Sequence, residues 1–172
     1  QHPGYLHMQG GEPRLSNRMR ERLALSTMEL VARRFIQGDA APSQQDFARH
    51  LRVPGHVLMV VLDALERKGM VMATADDPPS YLPARDPGRI LVAEVMQTVR
   101  AAGEDGFLSP PALPTPSAVE ELVTQLDAAA AKALAGLSLR DLVQRGEAEP
   151  AATSSPEPAW VEPAPASPEA VS

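Results

Sequence analysis

"SQQDFARHLRVPGHVLMVVLDALERKGMV", residues 43–71, decides the fold. It holds two helical patterns separated by a tight break, followed by a strand-like run. Ser43 reads as a helix N-cap, with Asp46 three residues on as a short-armed capping box. Phe47, Ala48 and Leu51 then face inward. "RVPG" stops this short helix, because Pro54 drives Val53 out of the helical region and itself suits a helix start. From Gly55 to Lys68, the spacing of Val57, Leu58, Val61, Leu62 and Leu65 predicts a second helix with one buried stripe. Arg67 and Lys68 complement its C-terminus, and Gly69 ends it.

Upstream, Ser16 reads as an N-cap. Met28, Val31, Ala32, Phe35 and Ile36 recur at helical spacing up to Gly38, with Arg18, Arg22, Glu29 and Arg33 on the solvated side. Downstream, "MVMAT" and "YLPA" flank the turn "ADDPPS" as a small hairpin. Three helices followed by a two-stranded wing is the order of a winged helix-turn-helix. The fold class expected is therefore mostly α, a winged helix-turn-helix with a β-hairpin wing and additional C-terminal helices. Ile90–Leu91 is expected to pair briefly with the wing, and Val92–Ala101 to form a helix. After the Pro-rich "GEDGFLSPPALPTP", Ser117 and Glu120 match a capping box. Behind them a long apolar stripe runs from Val119 to Leu137. "LSLRDLV" makes one more short helix, capped by Ser138.

The expected organisation is a linker over 1–15, the winged helix over 16–101, a Pro-rich loop over 102–116, a helical segment over 117–145 and a tail over 146–172. The stripe would pack back on the first helix within one chain, or pair two chains. The tail is Pro, Glu, Ala and Ser, too poor in apolar surface to offset the entropy of ordering. Its Trp160, the only tryptophan, reads as an incidental aromatic.

Charge and composition narrow the function. All 16 Lys and Arg precede Gly146, whereas five acids (Glu147, Glu149, Glu157, Glu162 and Glu169) follow it. Residues 1–145 thus hold 16 cations against 17 acids, which gives no chain-wide electrostatic case for nucleic acid. There is no cysteine, which removes disulfides and thiolate metal sites. No run reaches the roughly 18 apolar residues of a membrane span. His2, His7, His50 and His56 form no metal-ligand or catalytic spacing, and no nucleophile elbow or phosphate loop occurs. The chain is expected to be non-catalytic, with no cofactor, no metal and no small-molecule ligand.

A base-reading helix carries exposed Arg, Lys, Asn or Gln near its N-terminus. Here the early outward positions offer His56, Met59 and Val60, and Asp63 and Glu66 would face phosphates unfavourably. Candidate contacts to nucleic acid or a partner are Arg49, Arg52, His56, Arg67, Lys68, Arg85 and Arg89. The surface chemistry argues against nucleic acid, while the shape argues for it.

"RLSNRMRERLALSTMELVARRFIQGDAAPSQQDFARHLRVP", "VLDALERKGMV", "YLPARDPGRILVAEVMQTVR" and "ALAGLSLRDLV" together resemble the cytosolic C-terminal domain of the YihY/virulence factor BrkB family of bacterial inner-membrane proteins. The resemblance spans about residues 14–144. It implies a regulatory or interaction domain on the cytosolic face of the inner membrane, partnered by the membrane portion of its own parent chain. "QHPGYLHMQ" would follow the last membrane helix. The family carries a ribonuclease label, and no nuclease constellation is present to carry it over. The same stretches resemble, more loosely, the Rrf2 type of winged-helix transcription regulator. That resemblance implies DNA binding, with the difference that the cysteines such regulators often use to hold a cluster are missing.

Overall fold

The computed structural model describes residues 15–102 and 110–148. The linker through residue 14, His2, His7, the loop at 103–109, Trp160 and the tail from residue 149 lie outside the described residues.

Helix α1 (Asn17–Gln37) starts on Ser16, whose side chain accepts from the Met19 N–H, and ends at Gly38 in the left-handed conformation, φ 73°. Helix α2 (Gln44–Leu51) has the full reciprocal capping box: Ser43 Oγ accepts from the Asp46 N–H, and the Asp46 carboxylate accepts from the Ser43 N–H at 2.9 Å. Arg52 caps its far end in the left-handed region, φ 52°, the one non-glycine residue so placed among those described. Helix α3 (Gly55–Arg67) starts from Pro54 and buries Val57, Leu58, Val61, Leu62, Ala64 and Leu65. Strands β1 (Val71–Ala73) and β2 (Tyr81–Pro83) pair antiparallel with Met72 opposite Leu82. A 3-10 turn (Pro87–Arg89) leads to α4 (Val92–Arg100), then to α5 (Ser117–Ala133) and α6 (Leu139–Ala148).

One core joins these elements. Leu23, Met28, Leu30 and Val31 of α1 meet Phe47 of α2 and the buried stripe of α3. Val95 and Val99 of α4 and Leu139 and Val143 of α6 belong to the same cluster. Leu15 packs against it too, so the core reaches into the expected linker. Helix α6 also runs to Ala148, beyond the expected start of the tail. It is held by Arg140 on Asp86 at 3.2 Å and by Glu147 accepting from Gln37 Nε2 at 3.0 Å.

Four local expectations need correction. Phe35 and Ile36 share the helical spacing of the α1 stripe, yet both are exposed, because the core ends one turn earlier at Ala32. Leu91 does not join the wing. It bridges Ser138, with the Val92 N–H donating to the Leu137 carbonyl and the Leu139 N–H to the Ile90 carbonyl, both at 2.9 Å. The Ser117–Glu120 capping box does not form: Pro116, extended at ψ 142°, takes the cap position and Ser117 becomes the first helical residue. Finally, the stripe on α5 does not pack back into the core, since no residue of α5 is buried. Val119, Leu122, Val123 and Leu126 are exposed, Leu126 by 70%.

Candidate nucleic-acid interface

Helices α2 and α3 form the helix-turn-helix, and contacts at the start of α2 tie it to α3 and to the wing. Gln44, the first residue of α2, lays its amide against the start of α3: a Cβ built on Gly55 would come within 3.0 Å of Gln44 Nε2. A side chain at 55 would have to push the Gln44 amide aside by a few tenths of an ångström. Phe47 is fully buried and its ring meets that of Tyr81 on β2, centroids 5.8 Å apart and tilted by 56°. The Tyr81 N–H donates to the Pro42 carbonyl at 2.9 Å, and Ser43 bridges Ser80. The N-terminus of α2 and the wing are thus stitched by both backbone and ring contacts. Burial raises the pKa of the Tyr81 phenol, and the carboxylates of Glu66 and Asp63 raise it further. Helix α3 packs against β1 of the wing.

With Val57, Leu58, Val61, Leu62 and Leu65 turned into the core, the residues left outward on α3 are His56, Val60, Asp63, Glu66 and Arg67. Met59 is half-buried and packs against the core, so it is withdrawn from this face. At 13 residues α3 is about 20 Å long, enough to lie across a major groove.

The candidate contact residues divide into two groups. Arg49, Arg52, Arg67 and Lys68 are exposed at the two ends of the α2–α3 unit. Arg49 is engaged by Asp46 at 2.6 Å, and Arg67 Nε donates to the Asp63 carbonyl at 3.1 Å. Arg85 and Arg89 are also exposed, but they follow the wing. Arg85 pairs with Glu94 at 2.8 Å, and Arg89 closes the 3-10 turn packed on α6. The structure groups the first four with His56 on the helix-turn-helix, and sets Arg85 and Arg89 on a different segment.

The wing tip carries no cation. Thr74 Oγ1 donates to Asp76 at 2.7 Å and accepts from the Ser80 N–H at 3.0 Å, which leaves the exposed Asp76 and Asp77 at the tip. A duplex approached by this hairpin would meet two carboxylates, so α2 and α3 are the elements suited to it. A tally of cations leaves out Gln44 and Gln45, neutral donors at the start of α2 of the kind that bind phosphate oxygens. Their signal was positional: two amides directly after a helix cap.

The gap between α4 and α5, lined by Met96, Arg100, Asp127 and Leu134 among others, has a volume of about 20 Å³, room for a water and no larger ligand. Among the described residues no helix is long and apolar enough to cross a membrane.

No family model matches the chain, and no curated protein matches it. Solved structures do share its fold. It is similar to CymR of B. subtilis, the global cysteine regulator, with a TM-score of 0.57 at 18% identity over 78% of this chain and 98% of that one. It is similar to IscR of T. potens, with a TM-score of 0.59 at 18% identity over 80% and 92%. The oxidized form of Staphylococcus aureus CymR gives 0.57 at 17% identity over 76% and 97%. At these identities the likeness establishes a winged-helix fold and nothing finer. The looser of the two family resemblances is the one that finds structural company. Nothing among the comparisons supports a YihY/BrkB parent or a membrane-bound partner.

Proposed function

We propose that this chain acts as a non-catalytic winged-helix regulator that binds duplex DNA through α2 and α3, working where the DNA is, in the cytoplasm. The observation that carries the reading is the outward face of α3, uncovered by the other described residues and flanked by Arg52 at one end and by Arg67 and Lys68 at the other. Fold neighbours described as regulators agree with it. In the same reading the exposed Val119–Leu126 stripe of α5 pairs two chains, which would present two α3 helices to one duplex. The winged helix over 16–101 supplies the reader, and the segment over 117–145 supplies the dimer contact.

Four exposed cations on the helix-turn-helix set the expected strength. If Arg49, Arg52, Arg67 and Lys68 each neutralise a phosphate, log K falls against log salt with a slope of about −3.6 per protomer. Fluorescence anisotropy on labelled random duplexes between low and moderate salt reads this directly. A measurable affinity with a slope near that value, lost in the Arg52→Ala, Arg67→Ala, Lys68→Ala triple variant, is the expected result. No binding at low salt, or binding indifferent to both salt and the triple substitution, overturns the reading.

A further inference from the structure

We propose that Val60 is a specificity-determining residue that reads the methyl group of a thymine in the major groove. The inference rests on the DNA-binding reading above and adds the base that is read.

Base edges are contacted from the N-terminal half of a recognition helix. In α3 that half is Gly55 to Val61, and its inward members Val57, Leu58 and Val61 are buried. Gly55 has no side chain and is backed by Gln44, and Met59 is committed to packing. His56 and Val60 remain, four residues apart and so one above the other on the same face. No Arg, Lys, Asn or Gln stands between them, so bidentate reading of guanine or adenine from this part of the helix is not available.

Val60 is 47% exposed, an apolar group at the centre of a helix face that the domain leaves open. The apolar feature that the major groove offers is the C5-methyl of thymine. The groove is committed to as the occupant by charge: Arg52 precedes the face and Arg67 and Lys68 follow it, three exposed cations against the two exposed carboxylates Asp63 and Glu66 on its C-terminal half. With three cations against two carboxylates, the face carries no net negative charge to draw a basic protein partner. Burial of one methyl against the Val60 side chain accounts for roughly a fourfold preference for thymine over a pyrimidine without the methyl.

The test uses the full chain. A preferred duplex is selected from a random pool, and each thymine in it is replaced in turn by deoxyuridine, which lacks only the methyl. At one position per half-site the replacement is expected to weaken wild type about fourfold. Val60→Ala, at an exposed position and checked for an unchanged melting curve, is expected to bind the thymine duplex about as weakly as wild type binds the deoxyuridine one, and to treat the two alike. If every replacement leaves wild-type affinity unchanged, if no preferred sequence emerges, or if Val60→Ala still distinguishes thymine from deoxyuridine, the inference is wrong while DNA binding stands. If no duplex binds at all, both fall.

Discussion

Phe47→Ala should unfasten the wing from the helix-turn-helix as well as destabilise the core. Phe47 is fully buried, and its removal should cost about 3–5 kcal/mol from lost transfer energy and the cavity left behind. For a domain of this size that lowers the melting temperature by roughly 10–20 °C. About 0.5–1.5 kcal/mol of the loss belongs to the ring pair with Tyr81, beyond area alone. A double-mutant cycle of Phe47→Leu against Tyr81→Leu isolates that part as a coupling energy. Hydrogen exchange supplies the second readout. The Tyr81 N–H donates to the Pro42 carbonyl just before α2, so this amide should exchange faster in Phe47→Ala than the melting loss alone explains. The Leu139 N–H, bonded to Ile90 on the other side of the molecule, should follow global stability only. A coupling energy of zero, or equal changes at both amides, would refute the view that Phe47 ties α2 to the wing.

Leu62→Asp places a carboxylate in the fully buried stripe of α3 and should abolish the cooperative melt, and an unchanged melting curve would show the helix face to be misplaced. Leu122→Glu with Leu126→Glu should leave the melting temperature of dilute protein unchanged, because both side chains are exposed, while light scattering across a concentration series loses the dimer; a strict monomer in wild type removes the dimer proposal. Acid should weaken the fold through its two capping carboxylates. Hydrogen bonds from the Ser43 side chain and backbone, and then the Arg49 guanidinium, hold Asp46 below its ordinary value of 3.8, and Ser138, then Arg145 and Arg140, do the same for Asp141. Both are lowered in the fold, so their contribution is complete above 3.8 and disappears as pH falls through the folded values. Asp46→Asn and Asp141→Asn should flatten that part of the stability profile, read by chemical denaturation between pH 5 and pH 2.5 (about one unit above and below the ordinary value).

What was legible in the sequence was local. Ser43 and Asp46 are three residues apart, and the capping box they form is decided within one turn, as are the left-handed ends at Gly38 and Gly69. The buried stripe of α3 follows from spacing alone. The failures share a cause: they depend on distant partners or on competition for one role. Leu91 finds Ser138 across 47 residues of chain, and nothing in either segment announces the other. Ser117 and Glu120 have the right spacing for a box, yet Pro116 already occupies the extended position that the cap needs. The α5 stripe is plainly amphipathic, but periodicity states that a face is apolar and leaves open what covers it.

The surface is less legible in the sequence, because a count of charges carries no positions. A tally of cations near the start of α3 finds none, and that tally argues against DNA. Geometry changes the weight of the same residues. Arg52 ends α2 three residues before α3 begins, and Arg67 and Lys68 close α3 about 20 Å further on, so the cations bracket an outward face that is apolar at Val60 and carries Asp63 and Glu66 toward its C-terminal end. Phosphate contacts at the ends give affinity and register, whereas the centre is where base identity is read. A near-neutral domain with a bracketed apolar centre should therefore bind weakly as one protomer and gain from two. With Asp76 and Asp77 at the wing tip, substituting both to Asn should raise affinity for duplex without changing the preferred sequence, since only phosphate repulsion is removed. A change in the preferred sequence on Asp76→Asn with Asp77→Asn would mean that the wing reads bases, and the division of labour between cationic ends and apolar centre would have to be abandoned.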